Sequence, residues 1–192
     1  MLNFDEYIFN KVKDEIDSWN DSLIEDIYVI SFCIENINDD YRLPTVTLGY
    51  NTISNVKEVK VSAGDFEEAR WNYAFWLQNR ELVIGDIYNE INDADKVRGW
   101  IKEQGLYFTD EEESKDFDRI VELGEKIIIE FVDIIISVVQ KLHSENVIKD
   151  KFKRDIPLII HELEYYDEIA EQNIKANPND VINEFVEWVK NQ

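Results

Sequence analysis

Apart from carboxylates, this chain is poor in reactive side chains: two histidines and one cysteine accompany 42 Asp and Glu. His161-Glu162-Leu163-Glu164 has the opening of a zinc-binding helix, which needs a second histidine four residues after the first. Position 165 is Tyr165, so the pattern breaks. His143 and His161 with nearby acids could still hold a metal, but in so acidic a chain such proximity arises by chance. A hydrogen-bonded structural or surface histidine is favoured, and neither a metal nor another cofactor is expected. Cys33 sits inside the apolar run Ile27–Ile34 and reads as a buried strand residue rather than an activated thiolate. No nucleophile elbow, phosphate-binding loop, dinucleotide fingerprint or EF-hand spacing is present, so no catalytic residue is assigned.

The acids are the dominant chemistry. Lys and Arg number 20, which leaves a formal net charge of −22 over 192 residues. Such a charge disfavours nucleic acid, whose phosphates need a positive surface, and it disfavours anionic membrane surfaces. It favours a basic protein partner. The acids concentrate in two patches. Asp110, Glu111, Glu112, Glu113, Asp116 and Asp118 form one; Glu162, Glu164, Asp167, Glu168 and Glu171 form the other. The bland account is a solvated face with acids stabilised at a helix N-terminus. That explains the first patch locally and leaves the excess over the whole chain unexplained.

Something must position these groups, and 5 Trp, 9 Tyr and 10 Phe supply a core that an acidic disordered tail lacks. Ile8, Val12, Ile16 and Trp19 share one face of a helix from about Phe4 to Trp19. Ile27–Ile34 and Thr45–Tyr50 read as two strands joined as a hairpin, with a weaker third through Val59 and Val61. A helix follows over Asp65–Gln78. The segment Asn79–Asn92 is ambiguous, and Asp93 caps a helix through Ile101 that ends near Gly105. Thr109-Asp110-Glu111-Glu112 is a capping box opening a long helix that reaches His143. In it Lys126, Glu130, Asp133, Ser137 and Gln140 form a narrow polar stripe on an otherwise apolar cylinder. The stretch Ile127–Val139 is too short and too interrupted to span a bilayer. Ile156–His161 is a strand or the opening of a helix; Asp167–Lys175 is helical; Asn177-Pro178 starts the last helix.

Arg70-Trp71-Asn72-Tyr73-Ala74-Phe75-Trp76-Leu77 is the densest aromatic cluster. Tyr73 and Trp76 read as core filling, whereas Arg70 and Trp71 lie toward the edge of the stripe and are candidate interface anchors.

This segment, the strand Thr45–Asn51, and His161–Asp167 through Asn177-Pro178 together resemble an uncharacterised bacterial family of small, soluble, acidic proteins with a domain of unknown function. The resemblance would cover nearly the whole chain and brings no catalytic residue with it. By analogy, similar small acidic proteins serve as immunity partners in toxin systems.

The expected architecture is one α+β domain over residues 1–192: a small antiparallel sheet packed against a long central helix, with helices at both termini. The lone cysteine and the absence of a leader-like N-terminus suggest the cytoplasm. The expected function is protein binding, as by an immunity protein neutralising a basic toxin. The alternative is an enzyme or a ligand- or metal-binding protein built on His161 and neighbouring carboxylates.

Overall fold

A computed structural model describes residues 3–88 and 93–191. The fold is α+β. Helix α1 (Phe4–Ser18) and the short α2 (Asp21–Ile24) lead into strand β1 (Ile27–Asn36). Strand β2 (Pro44–Thr52), helices α3 (Ile53–Val59) and α4 (Phe66–Trp71), and strand β3 (Leu82–Ile84) follow. Next come α5 (Ala94–Glu103), α6 (Asp110–Lys115), the long α7 (Phe117–Ser144) and α8 (Val147–Phe152). Strand β4 (Leu158–His161), α9 (Asp167–Ala176) and α10 (Asn179–Val189) complete the order.

The sheet runs β3-β2-β1-β4. Strands β1 and β2 form the expected antiparallel hairpin, with Phe32 opposite Leu48, and β3 adds to β2 antiparallel. The sheet is nevertheless mixed, because β4 joins β1 in parallel, with Ile30 opposite Leu158 and Phe32 opposite Ile160. A parallel partner must return through a long crossover, which here contains most of the helices. The hairpin loop turns through Asn38 and Asp39, both at positive φ (56° and 58°), a conformation that short polar side chains tolerate best.

Side-chain alternation divides the core between the two faces of the sheet. Ile30, Phe32 and Ile34 of β1, with Val46 and Leu48 of β2 and Leu158 and Ile160 of β4, pack with α1, α5, α7 and α8. Val29 and Ile159 face the other way, toward Trp71 of α4 and Ile182, Phe185 and Val189 of α10. The aromatic residues on that side stack edge to face, Trp71 with Tyr28 and with Phe185 at 5.8 Å each.

The periodic faces form as expected. Ile8, Val12, Ile16 and Trp19 are all buried, and the capping box at Thr109 is complete. Three segments depart from the pattern. Val59 ends helix α3 and Val61 is 84% exposed, so no strand runs there. The helix from Asp65 stops at Trp71, where Asn72 turns its side chain to accept from Ala74 N at 2.9 Å. The long helix divides at Asp116, whose carboxylate accepts from Arg119 N and so caps α7 afresh. Of the ambiguous segment, Leu82–Ile84 is a strand, and positions 89–92 lie outside the described residues.

Strand β4 is an edge, and α9 lies along it. Asn173 Oδ1 accepts from Ile160 N at 2.9 Å, and its Nδ2 donates to Ile160 O at 2.7 Å. Asn177 repeats the arrangement on Leu158, at 2.9 Å and 2.8 Å. Four helical residues rise about 6.0 Å and two strand residues about 6.6 Å, so amides one helical turn apart match alternate strand residues. Both asparagines are buried, at 0% and 6% exposure. Gln172 Nε2 adds a second donor to Ile160 O at 2.8 Å.

Replacing Asn173 or Asn177 by alanine strands a buried N–H. Each should lower stability by about 2–3 kcal/mol in urea titrations and raise the tendency to aggregate through the opened edge. A loss under about 0.5 kcal/mol would show that these amides hold nothing.

Candidate functional site

Two of the residues that sequence reasoning weighed for reactivity, His161 and Cys33, lie on the helix α4/α10 side of the sheet, where aromatic rings surround the histidine. Ser31 Oγ donates to His161 Nε2 at 2.8 Å, and His161 Nδ1–H donates to the Glu162 carbonyl at 2.7 Å. The imidazole is therefore the neutral Nδ1–H tautomer, with both nitrogens engaged. Tyr73, Trp76 and Tyr165 surround it, with ring centroids at 4.6, 5.8 and 6.2 Å. Burial pushes its pKa down to about 4. Cys33 is 2% exposed, and burial raises its thiol to about 12. A serine–histidine pair suggests nucleophilic catalysis, but Ser31 and His161 are 3% and 0% exposed, so no substrate reaches them. His143 is elsewhere. It is half-buried on α7, and its Nε2–H donates to Asn177 Oδ1 at 3.2 Å. Among the described residues no group of three or more His, Cys, Asp or Glu is placed to hold a metal ion, and no helix is long and apolar enough to cross a membrane.

Arg70 and Trp71 are structural. Trp71 is 1% exposed, its ring enclosed by Tyr28 of β1 and Phe185 of α10; it is not an anchor at the edge. Arg70 lies over the Tyr28 and Trp71 rings, 4.9 and 4.8 Å from their centroids, and reaches Glu184 of α10 at 3.2 Å.

Five of the six acids of the first patch are engaged within the chain, and the sixth, Asp118, stands in the first turn of α7. Asp110 and Glu113 meet Arg42 at 2.6 and 3.7 Å, and Glu111 pairs with Lys115. Glu112 completes the capping box, and Asp116 caps α7. In the basic stretch Lys149–Arg154, Lys151 and Arg154 are likewise engaged. Lys151 donates to the Asp17 carbonyl at 2.8 Å, and Arg154 donates to the Ile27 carbonyl at 2.7 Å.

The second patch lines a groove of about 860 Å³ between α7 and the 162–175 segment. The α7 wall carries Ile128, Ile129, Val132 and Ile136, flanked by Glu125 and Asp133. The facing wall carries Leu163 and Tyr166 among Glu162, Glu164, Glu168 and Glu171. Ile34, Glu35 and Asn36 at the end of β1 form the floor, with Asp39 and Tyr41 of the hairpin loop. The walls meet where Gln140 Nε2 donates to Lys175 O at 2.8 Å. Tyr41 reaches α7 because residue 124 is glycine; a Cβ there would lie 2.4 Å from the tyrosine ring.

Eight carboxylates thus line the groove against one lysine, Lys175, and none of them is ion-paired among the described residues. Burial and the adjoining Glu162 raise the Tyr166 phenol to about 12. Apolar groups stand among these charges: Ile129, Leu163 and Tyr166 are 61%, 68% and 41% exposed. Glu162, Glu164 and Glu168 are brought together here, whereas Asp167 begins α9 without lining the groove. Sequence reasoning missed the α7 wall. Its signal was Ile129, an isoleucine lying beside the polar stripe of a helix expected to bury its apolar residues.

No family model, no curated protein and no solved structure matches the chain.

His161 also sets an acid limit on the fold. Its folded pKa lies below the ordinary 6.5, so the unfolded chain binds the proton more readily, and stability falls as pH drops from about 6.5 toward 4. A loss on the order of 3 kcal/mol over that window is expected from urea titrations, and His161→Gln should flatten it. An unchanged slope in that variant would remove His161 from the account.

Proposed function

We propose that this protein is a protein-binding module whose groove between α7 and α9 takes up a basic protein, as an immunity protein does in neutralising a basic toxin. One observation carries the reading: a surface with exposed Ile129, Leu163 and Tyr166 is rimmed by carboxylates that have no ion-pair partner among the described residues. Apolar groups provide the area that binding buries, while the rim selects the sign of the partner and speeds encounter. The net charge of −22 extends that attraction beyond the groove. The immunity analogy drawn from the sequence resemblance is in keeping with that reading, and a lone cysteine is in keeping with a reducing cytoplasm.

The test is a pull-down from the source cell with the immobilised chain, followed by mass spectrometry and a direct affinity measurement. A basic protein should be retained at low salt and released at high salt. The Glu164→Lys/Glu168→Lys double variant should weaken that binding at least tenfold, or about 1.4 kcal/mol. Glu111→Lys, on the occupied first patch, should leave it unchanged. Retention of no basic protein, or binding indifferent to the groove reversal, would contradict the proposal.

A further inference from the structure

Along α7, α9 and β4 the groove presents side chains rather than free backbone, and irregular backbone enters it only at 162–166, at the hairpin loop and at the end of β1. Its walls include α7 and α9, whose N–H and C=O groups are bonded within the helices. The nearby sheet edge is closed, because Asn173 and Asn177 hold the outer groups of Ile160 and Leu158, and Gln172, itself in the lining, holds Ile160 O again. Along β4 an extended peptide would find no ladder to join and would leave its own polar groups unmatched against the apolar row of α7. A helix arrives with its backbone already satisfied.

The wall fits a helix as well. Ile129, Val132 and Ile136 step by three and four along α7, the ridge pattern that packs against another helix. Glu125 to Ile136 rises about 16 Å, or three turns. On both walls the apolar row is bordered by acids, which a helix would meet with Lys or Arg flanking its apolar face.

From this we infer that the groove's occupant is a basic amphipathic helix of the partner protein, its apolar side chains seated between Ile129 and Leu163. The inference rests on the proposed binding of a basic protein and narrows it to one recognition mode. A second copy of this chain is disfavoured, since each copy carries a charge of −22. The chain's own basic stretch is disfavoured too, since Lys151 and Arg154 already hold the carbonyls at the ends of α1 and α2.

Two labelled peptides of about 15 residues, identical in Leu, Ala and Lys content, separate the possibilities by fluorescence anisotropy with the intact protein. One is ordered for an amphipathic helix, with Leu at steps of three and four, and the other alternates Leu and Lys as a strand. The helical order should bind at least about tenfold tighter and gain helical circular dichroism on binding. Ile129→Glu and Leu163→Glu, both at exposed positions, should each weaken it about tenfold while melting as the parent does. Equal or tighter binding of the alternating peptide, or binding of neither, would overturn the helical mode. If the cellular partner still answers to Glu164→Lys/Glu168→Lys, only the mode has failed. If that partner ignores the reversal, the underlying reading has failed with it.

Discussion

The backbone of Leu158 and Ile160 turns its outer N–H and C=O groups toward α9, where the Asn177 and Asn173 amides receive them. Without these groups, β4 would be an open edge in a strongly apolar strand, inviting another chain to pair. With them, the sheet ends in a helix. The same contacts fix α9 in height and rotation, and so fix where Tyr166, Glu168 and Glu171 stand. Asn177 extends the link by accepting from His143 of α7. One pair of side chains thus ties the α9 wall to β4 and to the end of α7, and closes the outer edge of β4.

The charge of the protein falls into two populations. Acids at α6 and the start of α7 work locally, as caps or as partners of Arg42 and Lys115, and their sequence density overstates what they offer to solvent. Acids at 162–171 have few such duties and surround exposed apolar groups. An acidic run in a sequence therefore says little until its internal partners are known. The same holds for the aromatic cluster, where Trp71 and Arg70 complete the packing between α4 and α10.

Where the governing interactions are local, the sequence made the fold legible. Steps of three and four marked α1, a narrow polar stripe marked α7, Asn177-Pro178 marked the start of α10, and the capping box marked a helix start at Thr109, though of one long helix rather than of α6. Where they are long-range, it did not. Nothing in Ile156–His161 announces a parallel pairing with β1. Asn173 and Asn177 look like polar residues on a solvent face, because their strand partners lie 13 and 19 residues away. The groove was half legible: its acidic wall is continuous in sequence, but the α7 wall joins it only through tertiary packing. The Ser31–His161 contact joins residues 130 positions apart, and only its burial distinguishes it from a catalytic pair.

The closed β4 edge is the point on which the account turns, and amide hydrogen exchange of Leu158 and Ile160 measures it directly. If the asparagines hold these groups, both amides exchange as slowly as those of Phe32 and Ile34 in β1, opening only with the protein as a whole. Exchange at the rate of an exposed strand edge, while β1 stays protected, would contradict it.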